Sequence, residues 1–345
     1  MEINNDTNEP NKIEPQPLNP TAQPPLQKKK TSIWRIIWGI FTGFSILANF
    51  FLVIIIIAIV AFFTTEKGVN YSEHLIEAGP HQNKIAIINI TGIIDNSMSD
   101  SISEQLKMLE KDVAVKALIL RINSPGGTVS ASDQINDQLK RFKQKTNLPV
   151  VAFMQSVAAS GGYYTAVASD RIIAEPTAIT GSIGVIMAYF VLQDLLEDKL
   201  GVLPVVIKSG EKKDWPSAFA PPTDEQKQYL NDRIILPAYS RFVDVVAQGR
   251  PLLGTETIKT LADGSIFSAP LAMEKGLIDQ IGYLDDCINT AKQMANVQDA
   301  KVVEYKKVFS LTDLLSAQQE SRIKLDRKTL QELSTPQLMY IWNNQ

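Results

Sequence analysis

Pro149-Val-Val-Ala-Phe-Met-Gln-Ser-Val-Ala-Ala-Ser160-Gly-Gly-Tyr-Tyr164 is a strand running into a helix. The apolar run Pro149–Phe153 reads as a buried strand, and Tyr163–Ala168 reads as a helix. Ser160 therefore stands where a strand ends and a helix begins. Small residues flank it and leave its hydroxyl open to a substrate. The glycines let another backbone come close. The first N–H groups of a helix lack intrahelical partners and can stabilise an anion there. That is the local geometry of a nucleophilic serine. A serine N-cap followed by a Gly-Gly packing contact has the same sequence, so these residues alone leave both readings open.

Working outward, the alternation repeats. Lys84–Ile90 and Ala117–Ile122 read as strands, and residues 101–109 and 130–143 have helical spacing. Arg171-Ile-Ile-Ala-Glu175 reads as a strand and Thr180-Gly-Ser182-Ile-Gly184 as a loop. A helix over 189–200 and a strand over Leu203–Lys208 follow. Thr223-Asp-Glu-Gln226 fits a capping box and opens a helix to about residue 247. Residues 255–297 read as short helices around a turn at Leu277–Tyr283. Residues 300–345 read as a polar, helical tail ending in Leu338-Met-Tyr-Ile-Trp342. Strand–helix alternation of this kind predicts an α/β fold with largely parallel strands.

The N-terminal part has a different composition. Residues 1–35 read as a disordered tail, with prolines at 10, 15, 17, 20, 24 and 25 and little apolar surface to bury. Residues 36–65 are uncharged, and the run is longer than the roughly 20 residues a bilayer span needs. It ends in Ala61-Phe-Phe-Thr-Thr65, a poor cleavage site, and so reads as one uncleaved transmembrane helix. Lys28, Lys29, Lys30 and Arg35 precede it, which predicts a cytoplasmic N-terminus and an extracytoplasmic body. Residues 66–83 read as a linker, 84–299 as the catalytic domain and 300–345 as a C-terminal extension.

Composition narrows the chemistry. The chain has 345 residues, a net charge of −3 and no basic patch interleaved with aromatics, so nucleic acid is not an expected partner. One cysteine, Cys287, and two histidines, His74 and His81, supply no metal-site spacing. No cofactor is expected. Both histidines lie in a polar stretch well before Ser160, outside any strong pattern, which disfavours a Ser-His-Asp triad. A base for Ser160 is then sought elsewhere, and lysine is the usual substitute. Lys212 and Lys213 lie in a loop over 209–222, and the residues alone do not choose between them. Either must lose roughly three pKa units, about 4 kcal/mol, to act near neutral pH, and burial can supply that. Ser124-Pro-Gly-Gly127 closes a strand and opens a helix. A turn of that kind exposes backbone N–H groups, as an oxyanion hole requires.

Four segments together resemble the signal peptide peptidase A family of membrane-bound serine proteases, in the wider ClpP/crotonase fold group. They are Arg121-Ile-Asn-Ser-Pro-Gly-Gly127, Ala158-Ala-Ser-Gly-Gly-Tyr-Tyr164, Thr180-Gly-Ser-Ile-Gly-Val-Ile-Met187 and Ile207-Lys-Ser-Gly-Glu-Lys-Lys-Asp214. They occur once each and in the family's order, as in its short, single-domain form, and the resemblance covers about residues 84–295. The resemblance implies a ClpP/crotonase-like domain of repeated strand-strand-helix units. It implies a Ser-Lys dyad with Ser160 as nucleophile and Lys213 as general base, Gly127 and Gly161 as the oxyanion hole, and Ser182 orienting the lysine. It further implies peptide substrates, namely signal peptides left in a bacterial cell membrane after preprotein processing, and a homo-oligomeric ring. Gln155, where relatives often have glycine, and the loop Asp214-Trp-Pro-Ser-Ala-Phe219 depart from the family pattern near the groove. Two rival functions share the fold: a crotonase-like acyl-CoA enzyme and an inactive membrane scaffold.

Overall fold

The computed structural model describes residues 32–64, 71–308 and 336–342. The chain divides into two units, one up to Lys67 and one from Gly68 onward. The first contributes helix α1, Ile33–Thr64. Its stretch Ile33–Ile59 has 27 residues and a mean hydropathy of 2.6. At 1.5 Å per residue that is about 40 Å, enough to cross a hydrocarbon layer of about 30 Å. From Ile33 to Ile59 its large apolar side chains are exposed.

The second unit opens with strand β1 (Tyr71–Glu77), β2 (Lys84–Thr91) and helix α2 (Asn96–Leu109). Next come β3 (Val115–Ser124), β4 (Gly126–Thr128), α3 (Val129–Thr146), β5 (Val150–Ala159) and α4 (Gly161–Ala166). Strands β6 (Arg171–Ala174), β7 (Ile179–Gly181) and β8 (Ile186–Ala188) lead to α5 (Asp224–Leu230), α6 (Leu236–Gly249) and α7 (Thr255–Leu261). The rest is β9 (Ile266–Ser268), α8 (Ala269–Glu274), β10 (Gln280–Ile281), α9 (Leu284–Met294), β11 (Lys301–Lys307) and β12 (Gln337–Ile341).

The main sheet has the order β1-β11-β2-β3-β5-β6-β10, with β7 paired to β5 and β9 to β7. It is parallel from β11 through β10, and β1 and β9 join antiparallel. This is the α/β fold expected. The central strands are apolar on both faces because helices cover both. Along β2, Ile85 and Ile87 belong to the cluster that includes Ile288 and Ala291 of α9. Ala86, Ile88 and Ile90 belong to the opposite cluster, with Ile102 of α2 and Ile135 of α3. Each such isoleucine, fully buried, contributes roughly 1.5–3 kcal/mol. Asp95 accepts from the Met98 N–H to cap α2, and Thr128 does the same for α3 through Ala131. Helix α5 carries the capping box expected at Thr223 and Gln226.

Several segments differ from the sequence reading. The 66–83 linker contains β1, which zips onto β11 from Tyr71–Lys307 inward. The 300–345 extension, read as helical, supplies strands β11 and β12; its residues 309–335 lie outside the described set. The second unit therefore reaches past the 84 and 299 boundaries expected for the catalytic domain, in both directions. Leu203–Lys208, read as a strand, pairs with no strand among the described residues, and Val205 and Ile207 are exposed. The helix read over 189–200 shrinks to a turn at Leu195–Lys199, since Phe190, Leu195 and Leu200 find no core to enter. The tail predicted over residues 1–35 lies outside the described residues except for its last four.

Candidate active site

Ser160 sits at the junction of β5 and α4 with φ +54° and ψ −115°. A positive φ is costly for a residue with a Cβ, and such strain persists only where surrounding structure holds it. Two bonds do so here. The Ser160 N–H donates to Gly181 O at 2.7 Å, and Ser160 O accepts from the Tyr164 N–H at 2.8 Å. The hydroxyl does not cap α4. It is buried, 1 % of the residue being exposed, and has no hydrogen-bond partner among the described residues. Ser160 stands at the N-cap position of α4, but its side chain makes no capping bond there. A buried hydroxyl without a partner costs free energy and calls for an explanation.

Strand β4 runs beside this elbow. On one side, Ile94 N–H donates to Gly126 O at 2.9 Å and Thr128 N–H donates to Ile94 O at 2.8 Å. Successive strand residues face opposite sides, so the Gly127 N–H and C=O point the other way, toward β12. Only glycine fits at either position. A Cβ on Gly127 would lie 1.9 Å from Ile94 O, and Gly126 has φ +106°. A Cβ on Gly161 would lie 3.1 Å from the Gly127 nitrogen, which places the two glycines side by side.

Ser182 is brought to the same place. In the β5–β7 ladder Ala159 is opposite Gly181, so Ser160 and Ser182 are the next residue on each strand. Ser182 is 8 % exposed, has φ +49°, and its N–H donates to Ser265 O at 2.7 Å. Lys213 is not brought there. It lies in an exposed turn, Glu211–Asp214, and no hydrogen bond or ion pair from the described residues engages its ammonium. Lys212 is engaged otherwise, its ammonium 4.4 Å from the Tyr229 ring centre and 5.2 Å from that of Trp215. Lys208 pairs with Asp214 at 2.8 Å. No cluster among the described residues suits a metal ion.

Strand β12 was missed by the sequence reading. It lies between β4 and β8, antiparallel to both. Tyr340 is opposite Gly127, and Trp342 N–H donates to Pro125 O at 2.8 Å. The Tyr340 ring is fully buried, stacked on Tyr164 with centres 5.0 Å apart and tilted against Phe242 at 4.6 Å. Its hydroxyl donates to Ala238 O at 2.8 Å. Tyr164 donates in turn to Asp133, which Arg241 also holds at 3.0 Å. Burial pushes the Tyr340 and Tyr164 phenols up, the latter helped by Asp133, so both stay neutral. An apolar run with an aromatic, just after Pro336, was the available signal for a strand.

Residues 142–298 match the model of Peptidase family S49, and residues 84–189 match that of the NfeD1b N-terminal domain. The chain is 38% identical over 262 residues to an Enterococcus faecium protein named "Putative signal peptide peptidase SppA", covering 70% of this chain and 75% of that one. It is 40% identical over 219 residues to "Putative protease slr0021" of a Synechocystis species, covering 64% and 77%. A 35% identity over 238 residues links it to "Protease 4" of Haemophilus influenzae, covering 67% of this chain and 38% of that protein. Among solved structures, a ClpP1 mutant from Listeria monocytogenes aligns with a TM-score of 0.40 and 19% identity, over 59% of this chain and 94% of that one.

Proposed function

The chain belongs to peptidase family S49 and is a serine peptidase, and from this premise we propose that Ser160 is its nucleophile and Lys213 its general base. The observation that carries the assignment is the Ser160 hydroxyl, buried and without a partner among the described residues, on a strained elbow beside Gly127. Neutral Lys213 takes the Ser160 proton, and the oxygen attacks the carbonyl carbon of the scissile peptide bond. The N–H groups of Gly127 and Gly161 hold the oxyanion, in the place where they are worth most. The lysine returns the proton to the leaving amine, and then activates the water that frees the acyl group. Ser182 holds the lysine amine in position. No metal and no cofactor enters these steps.

Lys213 reaches the site from a neighbouring copy of the chain in a homo-oligomeric ring. Two features support this. The Ser160 hydroxyl has no partner among the described residues of its own chain. The segment leading to Lys213 also exposes Leu203, Val205 and Ile207, a strand-like run with no strand to pair with among the described residues. A closed head-to-tail assembly would cover it. Helix α1 anchors the protein as a single span in a bacterial cell membrane, with the N-terminus cytoplasmic and the peptidase outside the cytoplasm. Its substrates there are signal peptides left behind by preprotein processing. The apolar span, the basic residues before it and the naming of the Enterococcus faecium relative support this part.

The test is cleavage of a synthetic signal peptide by the full chain in detergent, with products read by mass spectrometry. Cleavage that stops in Ser160→Ala, together with labelling of Ser160 by a serine-directed phosphonate probe, is the expected result. Labelling with no cleavage of the signal peptide, while other peptides are cut, would refute the substrate and spare the nucleophile.

A further inference from the structure

Lys213 lies between two residues whose side chains are both held. The turn Glu211–Asp214 is a 3-10 helix, in which the Lys213 N–H donates to Gly210 O at 3.0 Å and the Trp215 N–H to Lys212 O at 3.3 Å. Such a helix has three residues per turn, so successive side chains leave it about 120° apart. Lys212, Lys213 and Asp214 therefore take three directions. On one side, the Lys212 ammonium lies 4.4 Å from the Tyr229 ring centre and 5.2 Å from that of Trp215. On another, Asp214 accepts from Lys208 at 2.8 Å, and this bond holds the Asp214 carboxyl below its ordinary pKa. Lys213 takes the third, where no hydrogen bond or ion pair from the described residues meets its ammonium.

The two rings around Lys212 come from different places. Trp215 directly follows the turn. Tyr229 is on α5, whose start is fixed by the capping box of Thr223 and Gln226. The rings meet edge to face, with centres 5.7 Å apart and planes at 79°, and both are half-buried. They make a corner that one cation fills. Both distances to Lys212 lie within the roughly 6 Å over which a ring's quadrupole attracts a cation. The far end of the loop is tied as well, since the Leu192 N–H donates to Ala218 O at 2.7 Å. A loop held at Lys212, Asp214 and Ala218 cannot swing the turn freely, so the direction of Lys213 is set by its neighbours.

We propose that Lys212 is a positioning residue: clamped between Trp215 and Tyr229, and with Asp214 tied to Lys208 on the other side, it fixes the direction in which Lys213 leaves the turn toward the serine it serves. The inference rests on the reading of Lys213 as general base. Lys212 touches no reacting atom and acts only through its neighbour. Such aim matters because a group misplaced by about 1 Å can cost about a hundredfold in rate. One exposed cation–π contact favours the held arrangement about two- to fivefold, and two together about five- to twentyfold. An arginine at 212 keeps the clamp, since a guanidinium stacks on aromatic faces, whereas a glutamine loses it.

The experiment measures kcat and KM for a synthetic signal peptide with the full chain in detergent, beside the melting temperature and the mass of the assembly. Lys212→Gln is expected to lower kcat about five- to twentyfold, and Tyr229→Leu, which removes the nearer ring, about two- to fivefold. KM should stay within about twofold in both, because the peptide touches neither residue. Lys212→Arg and Tyr229→Phe should keep the parent's kcat. The double variant Lys212→Gln/Tyr229→Leu should be no slower than Lys212→Gln alone, since the ring works only through the cation. Parent-level kcat in Lys212→Gln, with Lys213→Ala inactive, overturns the clamp and leaves Lys213 as the base. A Lys212→Arg variant as slow as Lys212→Gln overturns it too, because the rings would then not be what counts. A kcat loss that follows a lower melting temperature or a smaller assembly assigns Lys212 to packing and overturns the positioning role. Undiminished cleavage in Lys213→Ala overturns the base, and the clamp with it.

Discussion

The backbone N–H of Ser160 donates to the carbonyl of Gly181 at 2.7 Å, and this bond ties the elbow to the end of β7. Ser182, one residue on, is thereby set beside Ser160. The main chain of Ser160 is satisfied while its side chain is not. The strain at φ +54° is held by the ladder between β5 and β7 rather than by any contact of the hydroxyl.

That division predicts the behaviour of Ser160→Ala. The alanine keeps the backbone bonds and removes a buried hydroxyl that has no partner among the described residues. An unsatisfied buried polar group costs about 1–3 kcal/mol, so the variant should be as stable as the parent or up to about that much more stable. Peptide cleavage should fall to background. A melting temperature several degrees lower would mean that the hydroxyl has a structural bond after all.

Glycine-to-alanine changes should separate close approach from backbone strain. At Gly127 the new Cβ would meet Ile94 O at 1.9 Å, an atom fixed in its own hydrogen bond to Thr128. Overpacking against backbone costs about 1–3 kcal/mol or more, and Gly127→Ala should lose activity as well as stability. At Gly92, φ is +81° and nothing lies within 4 Å. Gly92→Ala should lose about 1–2 kcal/mol from the left-handed backbone alone and remain active. Urea unfolding and peptide cleavage, measured on both, decide the matter.

How far the sequence could be read follows from where each strand finds its partners. The runs in β2, β3 and β5 are apolar on both faces, and any burial pattern finds them. The strand-to-helix junction at Ser160 was legible because a strand end followed by glycines is a local signal, whereas roles for Gly161 and Ser182 were expected only from the family resemblance. Strand β1, Tyr-Ser-Glu-His-Leu-Ile-Glu, is mostly exposed and exists through its ladder to β11, more than 200 residues on. No local pattern carries that. Leu203–Lys208 is the converse: its composition is strand-like, but no strand among the described residues pairs with it. Strand β12 hides for the first reason, since its neighbours β4 and β8 are three residues each.

Acid should act through Glu304 on β11. Burial works against its charge, but hydrogen bonds from Asn89 and Lys306 and the charge of Arg121 outweigh that and hold its pKa below the usual carboxylate value. A depressed folded pKa gives stability that is present above the unfolded pKa, about 4.3, and is lost as pH falls through the folded value. Glu304→Gln should therefore be less stable at pH 7, by roughly 1–3 kcal/mol, because Arg121 loses its carboxylate partner. It should also lose less additional stability between pH 5 and pH 3 than the parent does, about one carboxylate's share. Parallel urea curves for the two proteins over that range would show that Glu304 is not linked to folding.

Lys213 supplies the sharpest test of the shared site. Lys213→Arg should be inactive because arginine stays protonated, and a similar change at Lys212 should matter less, since Lys212 lies over Tyr229. Ser160→Ala and Lys213→Ala chains should each be inactive alone. Mixed in equal amounts and reassembled, a site is competent only where an intact Ser160 meets an intact Lys213 from the neighbour. Random mixing makes that true of roughly one site in four, if each site draws on one neighbour. A dyad held within one chain predicts no recovery. Activity near a quarter of the parent's, in assemblies shown by mass to be mixed, supports exchange of Lys213 between copies. Mixed assemblies that stay inactive would leave the serine chemistry intact and require the exposed turn at Glu211–Asp214 to fold back onto its own Ser160.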